Sequence, residues 1–371
     1  MEDLTKTTLV TINEATQILK VTRQTIYLWI KSGKIKPVKI PGGRLRIPAD
    51  QLIIKETPTL SKQSDLYPII DVSELDFERD EQMGTKEKGW FFRTDRHWYW
   101  QIEGNRFMFK AGREGTGENW AEKIAAELSE LLRLPHAYYD LAFYRGKKGV
   151  ITPNFVPEET RLELGNEILA RYLKGYEKTK RFRQTGHTLR SVLWLINSQE
   201  TLPPLGFKKS VEINSSLDVF IGYLMLDAWI ANTDRHHENW GRIIVPSTGS
   251  KYLAPTFDHA SSFGRAETDE NREKRLTTKD VNMGVGKYVE RARSAFYQAP
   301  NDVKPLLTLE AFKLASNGRE VAANAWLKRL EHISEADIKG IIDKVPPEEM
   351  SQIAKEFTNK ILELNKKRLL A

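Results

Sequence analysis

Asp234, Asn239 and Asp258 are the residues of this chain whose types and spacing best suit chemistry. The first two stand five positions apart in Asn232-Thr233-Asp234-Arg235-His236-His237-Glu238-Asn239-Trp240, and the third follows in Phe257-Asp258-His259. A carboxylate such as Asp234 can orient a hydroxyl group and take its proton. An amide oxygen and a second carboxylate, from Asn239 and Asp258, suit a hard divalent cation such as magnesium. A base, and a magnesium ion seated between the β and γ phosphates of a nucleotide, are what phosphoryl transfer requires.

Phosphates also need cations. Arg106 to Lys110 reads as a strand ending in lysine, which puts Lys110 where it could pair with the α and β phosphates. A helix is expected from about 119 to 132, with Ile124, Ala125, Leu128, Leu131 and Leu132 as its apolar face. One of its acids should fix Lys110, and Glu122, in the first turns, is preferred over Glu127. Gly84, Thr85, Lys86 and Lys88, between strand-like stretches, are candidates for a loop that covers phosphates with its backbone amides. Phe155 and Val156, in the strand-like run from Gly149 to Pro157, are candidates to hold an adenine base.

These side chains must be brought together by elements. An apolar helix from about Asp218 to Ile230, with Phe220, Leu224 and Met225 inside it, delivers the Asp234 loop from the core. Two strand-like runs, Arg242 to Val245 and Lys251 to Ala254, joined by a turn-forming Pro246 to Ser250, return Asp258 to the same place. Residues 84 to 157 alternate strand-like runs with one helical pattern, and residues 160 to 371 are mainly helical. Ile353, Phe357, Ile361 and Leu364 form the core-facing stripe of a C-terminal helix. The polar segment 57 to 65 reads as a linker.

Ahead of it, Thr11-Ile12-Asn13-Glu14 has the spacing of a capping box and opens a helix with Ala15, Ile18 and Leu19 apolar. Val21-Thr22 turns into a second helix. Ile26, Trp29 and Ile30 share its inner face, while Arg23, Gln24, Tyr27 and Lys31 fall elsewhere. Gly33 closes it, and strand-like runs from Lys36 to Ile40 and Arg44 to Ile47 flank Gly42-Gly43 as a hairpin. Arg44 and Arg46 share one face of that wing and can reach phosphates or a minor groove. Trp29, Ile26 and Leu52 are core residues. Residues 1 to 56 hold ten lysines and arginines against five acids, much of the whole chain's +7, a concentration that favours a polyanion.

Composition removes several alternatives. With no cysteine in the chain, disulfides, thiolate zinc sites and cysteine nucleophiles are excluded, and the reducing cytoplasm fits. No signal peptide and no apolar run long enough to span a membrane is read. The phosphate-binding string Gly-x-x-x-x-Gly-Lys-Ser/Thr does not occur. His236, His237, Asp258 and His259 do not follow the His-then-Asp order of a metal phosphohydrolase, and seven histidines in all are few for one. His236 and His237 are expected to brace the loop.

From Thr11 to Leu52 the chain resembles the excisionase and MerR-type winged-helix family, at Ala15, Thr25, Trp29, Gly33 and Gly42-Gly43-Arg44. By that resemblance the second helix enters the major groove of duplex DNA, and Thr22, Arg23, Gln24, Tyr27, Arg44 and Arg46 are the expected contacts. From about Gly84 to Leu370 the chain resembles the HipA-like serine/threonine kinases, through Gly84-Thr85-Lys86-Glu87-Lys88, Phe109-Lys110, Trp120-Ala121-Glu122, Asp234 to Asn239 and Phe257-Asp258-His259. That resemblance implies an α+β, bilobal protein-kinase-like fold with a mixed N-lobe and a helical C-lobe. It also implies ATP and magnesium as cofactors, a protein serine or threonine as acceptor, and growth-restraining, toxin-antitoxin-type or regulatory roles.

The expected divisions are 1–56 for the winged helix-turn-helix domain, 57–80 for the linker, 81–157 for the N-lobe and 158–371 for the C-lobe. Two features depart from the family. His259-Ala260 follows Asp258 in place of Phe-Gly, and Thr85 is the only hydroxyl in the phosphate loop. A small-molecule or lipid kinase on the same residues, or a DNA-binding regulator with an inactive kinase-like body, are the alternatives. The DNA operator, the phosphorylated target and the oligomeric state are left open.

Overall fold

The computed structural model describes residues 9–12, 14–15, 35–39, 45–48, 66–80, 88–92, 106–181, 183–198 and 200–371. The chain divides into two units, Met1–Ser64 and Asp65–Ala371.

In the first unit, Thr11 starts a helix as its spacing predicts. Its N–H donates to the Glu14 carboxylate at 2.6 Å, and the Glu14 N–H donates to Thr11 Oγ1 at 3.1 Å. Those Thr11 bonds hold the Glu14 carboxyl below its ordinary value. Strands β1 (Leu9–Val10), β2 (Val38–Lys39) and β3 (Leu45–Pro48) form an antiparallel sheet in the order β1-β3-β2. The β2–β3 hairpin is the expected wing, and β1 adds a strand beside it. Ile12, Ala15, Ile35 and Ile47 form the described core. Arg46 lies half-buried on β3. Thr22, Arg23, Gln24, Tyr27 and Arg44, like the expected core residues Ile26, Trp29 and Leu52, lie outside the described residues.

The second unit begins with six strands: β4 (Ile69–Asp71), β5 (Asp76–Asp80), β6 (Lys88–Phe92), β7 (Arg106–Ala111), β8 (Asp140–Tyr144) and β9 (Lys147–Pro153). Their order is β4-β8-β9-β7-β6-β5, antiparallel throughout except for β4 against β8. The mixed layer therefore starts at Ile69, within the stretch 57–80 that the sequence reading gives to a linker. Among the described residues β4 and β5 are the two edges, and the exposed charges of Glu78 and Arg79 on β5 are what an edge strand carries toward water. That polarity is what makes the segment read as a linker.

Alternation along the central strands sorts the sheet into two faces. Phe91, Phe107, Phe109 and Ile151 pack together on one side. Lys88, Trp90, Met108, Lys110 and Thr152 line a cavity on the other, with Lys88 directly across from Lys110 and Trp90 across from Met108. Helix α1 (Glu118–Leu131) clusters with the sheet residue Val150 through Ala126 and joins the main core through Trp120, Ala121, Ile124, Ala125 and Leu128.

A three-stranded antiparallel sheet, β10 (Arg161–Leu164), β11 (Gly241–Val245) and β12 (Ser250–Leu253), adjoins the helical part. β11 and β12 are the expected hairpin. Helix α2 (Gly165–Tyr172) follows β10, and α3 (Leu189–Ser198) packs on α4 (Ser216–Ile230) in the core. Every residue of α4 is buried, as its largely apolar sequence requires. Ser215 and Asp218 cap its start reciprocally, at 3.1 and 2.9 Å. Ala231 ends it in the left-handed region at φ 52°. The C-terminal helix, Gln352–Leu370, buries Phe357 and Ile361 from the expected stripe.

Candidate active site

The loop after α4 is held by one buried ion pair. Arg235 is fully buried, and its Nε and Nη2 donate to the two oxygens of Asp227, on the last turn of α4, at 2.8 and 2.7 Å. Its Nη1 donates to the carbonyl of Asn239 at 2.9 Å and reaches that of Phe257 at 3.5 Å. The Asn232 amide donates to Asp227 at 2.8 Å, and the Asn239 amide donates to the Asp234 carbonyl at 2.7 Å. A single guanidinium thus ties the Asp234–Asn239 loop to the strand end that carries Asp258. Burial disfavours the Arg235 charge, but Asp227 outweighs it and raises the group further.

Lys110 is also buried. Its ammonium sits 2.6 Å from Glu122 Oε1 and 2.7 Å from Asp258 Oδ1. Burial works against its charge, yet the carboxylates of Asp258 and Glu122 win and hold it well above the ordinary lysine value. The other oxygen of Glu122 accepts the N–H of His259 at 2.6 Å, so this carboxylate also fixes the turn after Asp258. Glu127 instead pairs with Lys123 at 2.6 Å. Asp258 adopts φ 58°, an uncommon backbone for a non-glycine residue and one that aspartate tolerates better than most. The Tyr139 hydroxyl accepts its N–H at 3.3 Å. Burial pushes that phenol up, so it stays neutral.

These residues open onto one cavity of about 260 Å³. Lys110, Asn239 and Asp258 line it together with Lys88, Phe155, Val156, Arg181 and Glu238. Phe155 stacks on Phe257, ring centres 5.4 Å apart and planes at 29°. The cavity wall is mostly apolar with a few convergent charges, the usual make-up of a small-ligand site. Asp234 stands beside it rather than in its lining, with its carboxylate 3.8 Å from His236 Nε2. Gly84, Thr85 and Lys86 lie outside the described residues, and Lys88 is the first residue of β6.

The histidines brace the loop. His237 Nδ1 shares a hydrogen bond with the Tyr176 hydroxyl at 2.6 Å, and His236 Nε2 accepts from Arg181 at 3.2 Å. Burial, aided by Arg181, lowers His236 to about 3 and His237 to about 4. Asp227, Arg235, Tyr139, Arg181 and Phe257 are parts of the site that the sequence reading did not assign. Asp227 did leave a signal, as a lone charge in the apolar run Leu224-Met225-Leu226-Asp227-Ala228-Trp229-Ile230.

Residues 9–53 match the model of a helix-turn-helix domain. No curated protein matches the chain in sequence. Among solved structures, the Helicobacter pylori proinflammatory kinase CtkA superposes with a TM-score of 0.62 at 19% identity, over 82% of this chain and 99% of that one. HipA of Shewanella oneidensis, in a toxin-antitoxin complex with HipB and operator DNA, aligns over 96% of this chain and 81% of that chain, with a TM-score of 0.43 and 13% identity. The chain thus joins an N-terminal helix-turn-helix domain to a body that shares its two-lobed fold with the Helicobacter pylori kinase CtkA.

Proposed function

We propose that residues 65–371 form an ATP- and magnesium-dependent protein kinase acting on serine or threonine, and that residues 1–56 bind duplex DNA, both in the cytoplasm. The observation that carries this reading is that Lys110, paired at once with Glu122 and Asp258, lines the same cavity as Asn239. The donor set fits the cofactors. Among the described residues no three His, Asp or Glu side chains converge to hold a metal by themselves. Two protein oxygens, with the rest from phosphate and water, are what magnesium takes in such sites.

When bound, magnesium-ATP would supply the γ-phosphoryl group and screen its charge. Asn239 and Asp258 would offer oxygens to the ion. Lys110, steadied by Glu122, would hold the α and β phosphates, and Gly84, Thr85, Lys86 and Lys88 would cover them. Phe155 and Val156 would bound the adenine. Asp234 would orient the acceptor hydroxyl and take its proton, with Arg235 positioning the loop from behind.

Incubation with γ-labelled ATP and magnesium should label the protein itself or a protein in a cell extract. Asp234→Ala should cut the rate by about 10²- to 10⁴-fold, the usual worth of general-base catalysis. Label confined to lipid or metabolite fractions would assign the acceptor to another class.

A further inference from the structure

Between α2 and α3, residues 174–183 read Lys-Gly-Tyr-Glu-Lys-Thr-Lys-Arg-Phe-Arg, five cations and one acid. The segment is anchored to the catalytic loop from three directions. The Tyr176 hydroxyl bonds His237 Nδ1 at 2.6 Å, and Arg181 bonds His236 and faces Glu238 at 3.4 Å. The Asn166 amide donates to the Lys178 carbonyl at 3.2 Å, while the Asn166 N–H donates to the His237 carbonyl at 2.8 Å. His236 in turn lies 3.8 Å from Asp234. The basic segment is therefore fixed one side chain away from the residue that would receive the acceptor's proton.

Only Arg181 of its cations lines the cavity. Lys174, Lys178, Lys180 and Arg183 are exposed, and among the described residues none of them has an ion-pair partner. A nucleotide inside the cavity does not need them. Cations strung along an anchored loop raise the local concentration of an anionic partner and orient it, an effect that salt screens.

We propose that this loop is the docking surface for an acidic peptide, one whose Asp and Glu residues flank the serine or threonine presented to Asp234. The proposal rests on the reading of the body as a protein kinase. An extended peptide carries its side chains about 3.3 Å apart per residue, so its acids would meet cations spread over ten residues of loop. A lipid headgroup would call for a compact cluster instead.

The test measures binding to the full chain, by fluorescence anisotropy without ATP, of a labelled serine peptide flanked by Asp and Glu and of the same peptide with Asn and Gln. The acidic peptide should bind at least about tenfold more tightly at low salt and lose that advantage as salt rises. A Lys174→Glu, Lys178→Glu, Lys180→Glu, Arg183→Glu variant should lose the tenfold preference while its melting temperature and ATP affinity stay as in the parent. Equal binding of the two peptides, an undiminished preference in the variant, or binding of phosphoinositide vesicles with no peptide preference would overturn the proposal. Because this readout needs no turnover, a chain that binds the acidic peptide but transfers no phosphate to any acceptor would defeat the kinase reading and leave the docking surface standing.

Discussion

Removing one partner of the Asp227–Arg235 pair leaves the other charge buried with no counter-ion, a loss that runs to about 3–5 kcal/mol. Arg235→Ala should therefore lower the urea midpoint of the body markedly. It should also disturb both the Asp234 loop and the Asp258 turn, because the same guanidinium reaches Asn239 and Phe257. A variant that melts like the parent would contradict this account of the clamp. The buried histidines make a separate prediction. His187, His236 and His237 are lowered to about 3, 3 and 4, chiefly by burial, from the ordinary value near 6.5. Below pH 6.5 the unfolded chain binds protons that the folded one refuses, so their contribution is present above 6.5 and is lost as pH falls toward 4 and 3. Each such group has a limiting slope of about 1.4 kcal/mol per pH unit. Urea unfolding at pH 7, 6 and 5 should show stability falling steadily, before ordinary carboxylates begin to titrate. A flat profile over that window would reject it.

Gly149 on β9 lies against the Lys110 backbone with no room for a side chain. A Cβ on Gly149 would lie 2.4 Å from the Lys110 carbonyl and 2.8 Å from the Phe109 ring. Gly149→Ala must therefore push the strands apart. It should weaken nucleotide binding by about tenfold or more and destabilise the body by about 1–3 kcal/mol, as overpacked sites do. Isothermal titration and a thermal melt check the two effects, and unchanged binding would show that the lysine does not depend on this close approach. Elements with a strong local signal were readable in the sequence. The capping box at Thr11, the apolar α4 and the hairpin before Asp258 declare themselves in composition and turn residues. β4, β5 and β10 did not, because short half-exposed strands gain their pairing from distant partners such as Leu141 and Ile244. Glu122 was distinguishable from Glu127 through helix position alone. Arg181 was not readable as part of the site, since its place depends on a loop folding back on His236.

Two compact units in one chain separate two kinds of salt dependence. Binding of duplex DNA to the head should weaken steeply with salt, and Arg44→Ala with Arg46→Ala should reduce the slope by about 2, one unit for each phosphate that the head no longer neutralises. Titrations at several salt concentrations read this directly, and an unchanged slope would remove the two arginines from the interface. Nucleotide binding in the body, seated on the buried Lys110, should change far less over the same range. The division into a helix-turn-helix domain and a two-lobed body was legible from charge distribution and motif spacing. The start of the body was not, for its first strands are acidic.

Glu122 uses its two oxygens for different neighbours, one for the Lys110 ammonium and one for the His259 backbone. Any rotation of α1 that withdraws this carboxylate therefore takes from Lys110 one of its two anions and from the aspartate turn its side-chain anchor in one movement. The lysine and the aspartate turn are thus geared to a single helix, and displacing α1 would disturb both together.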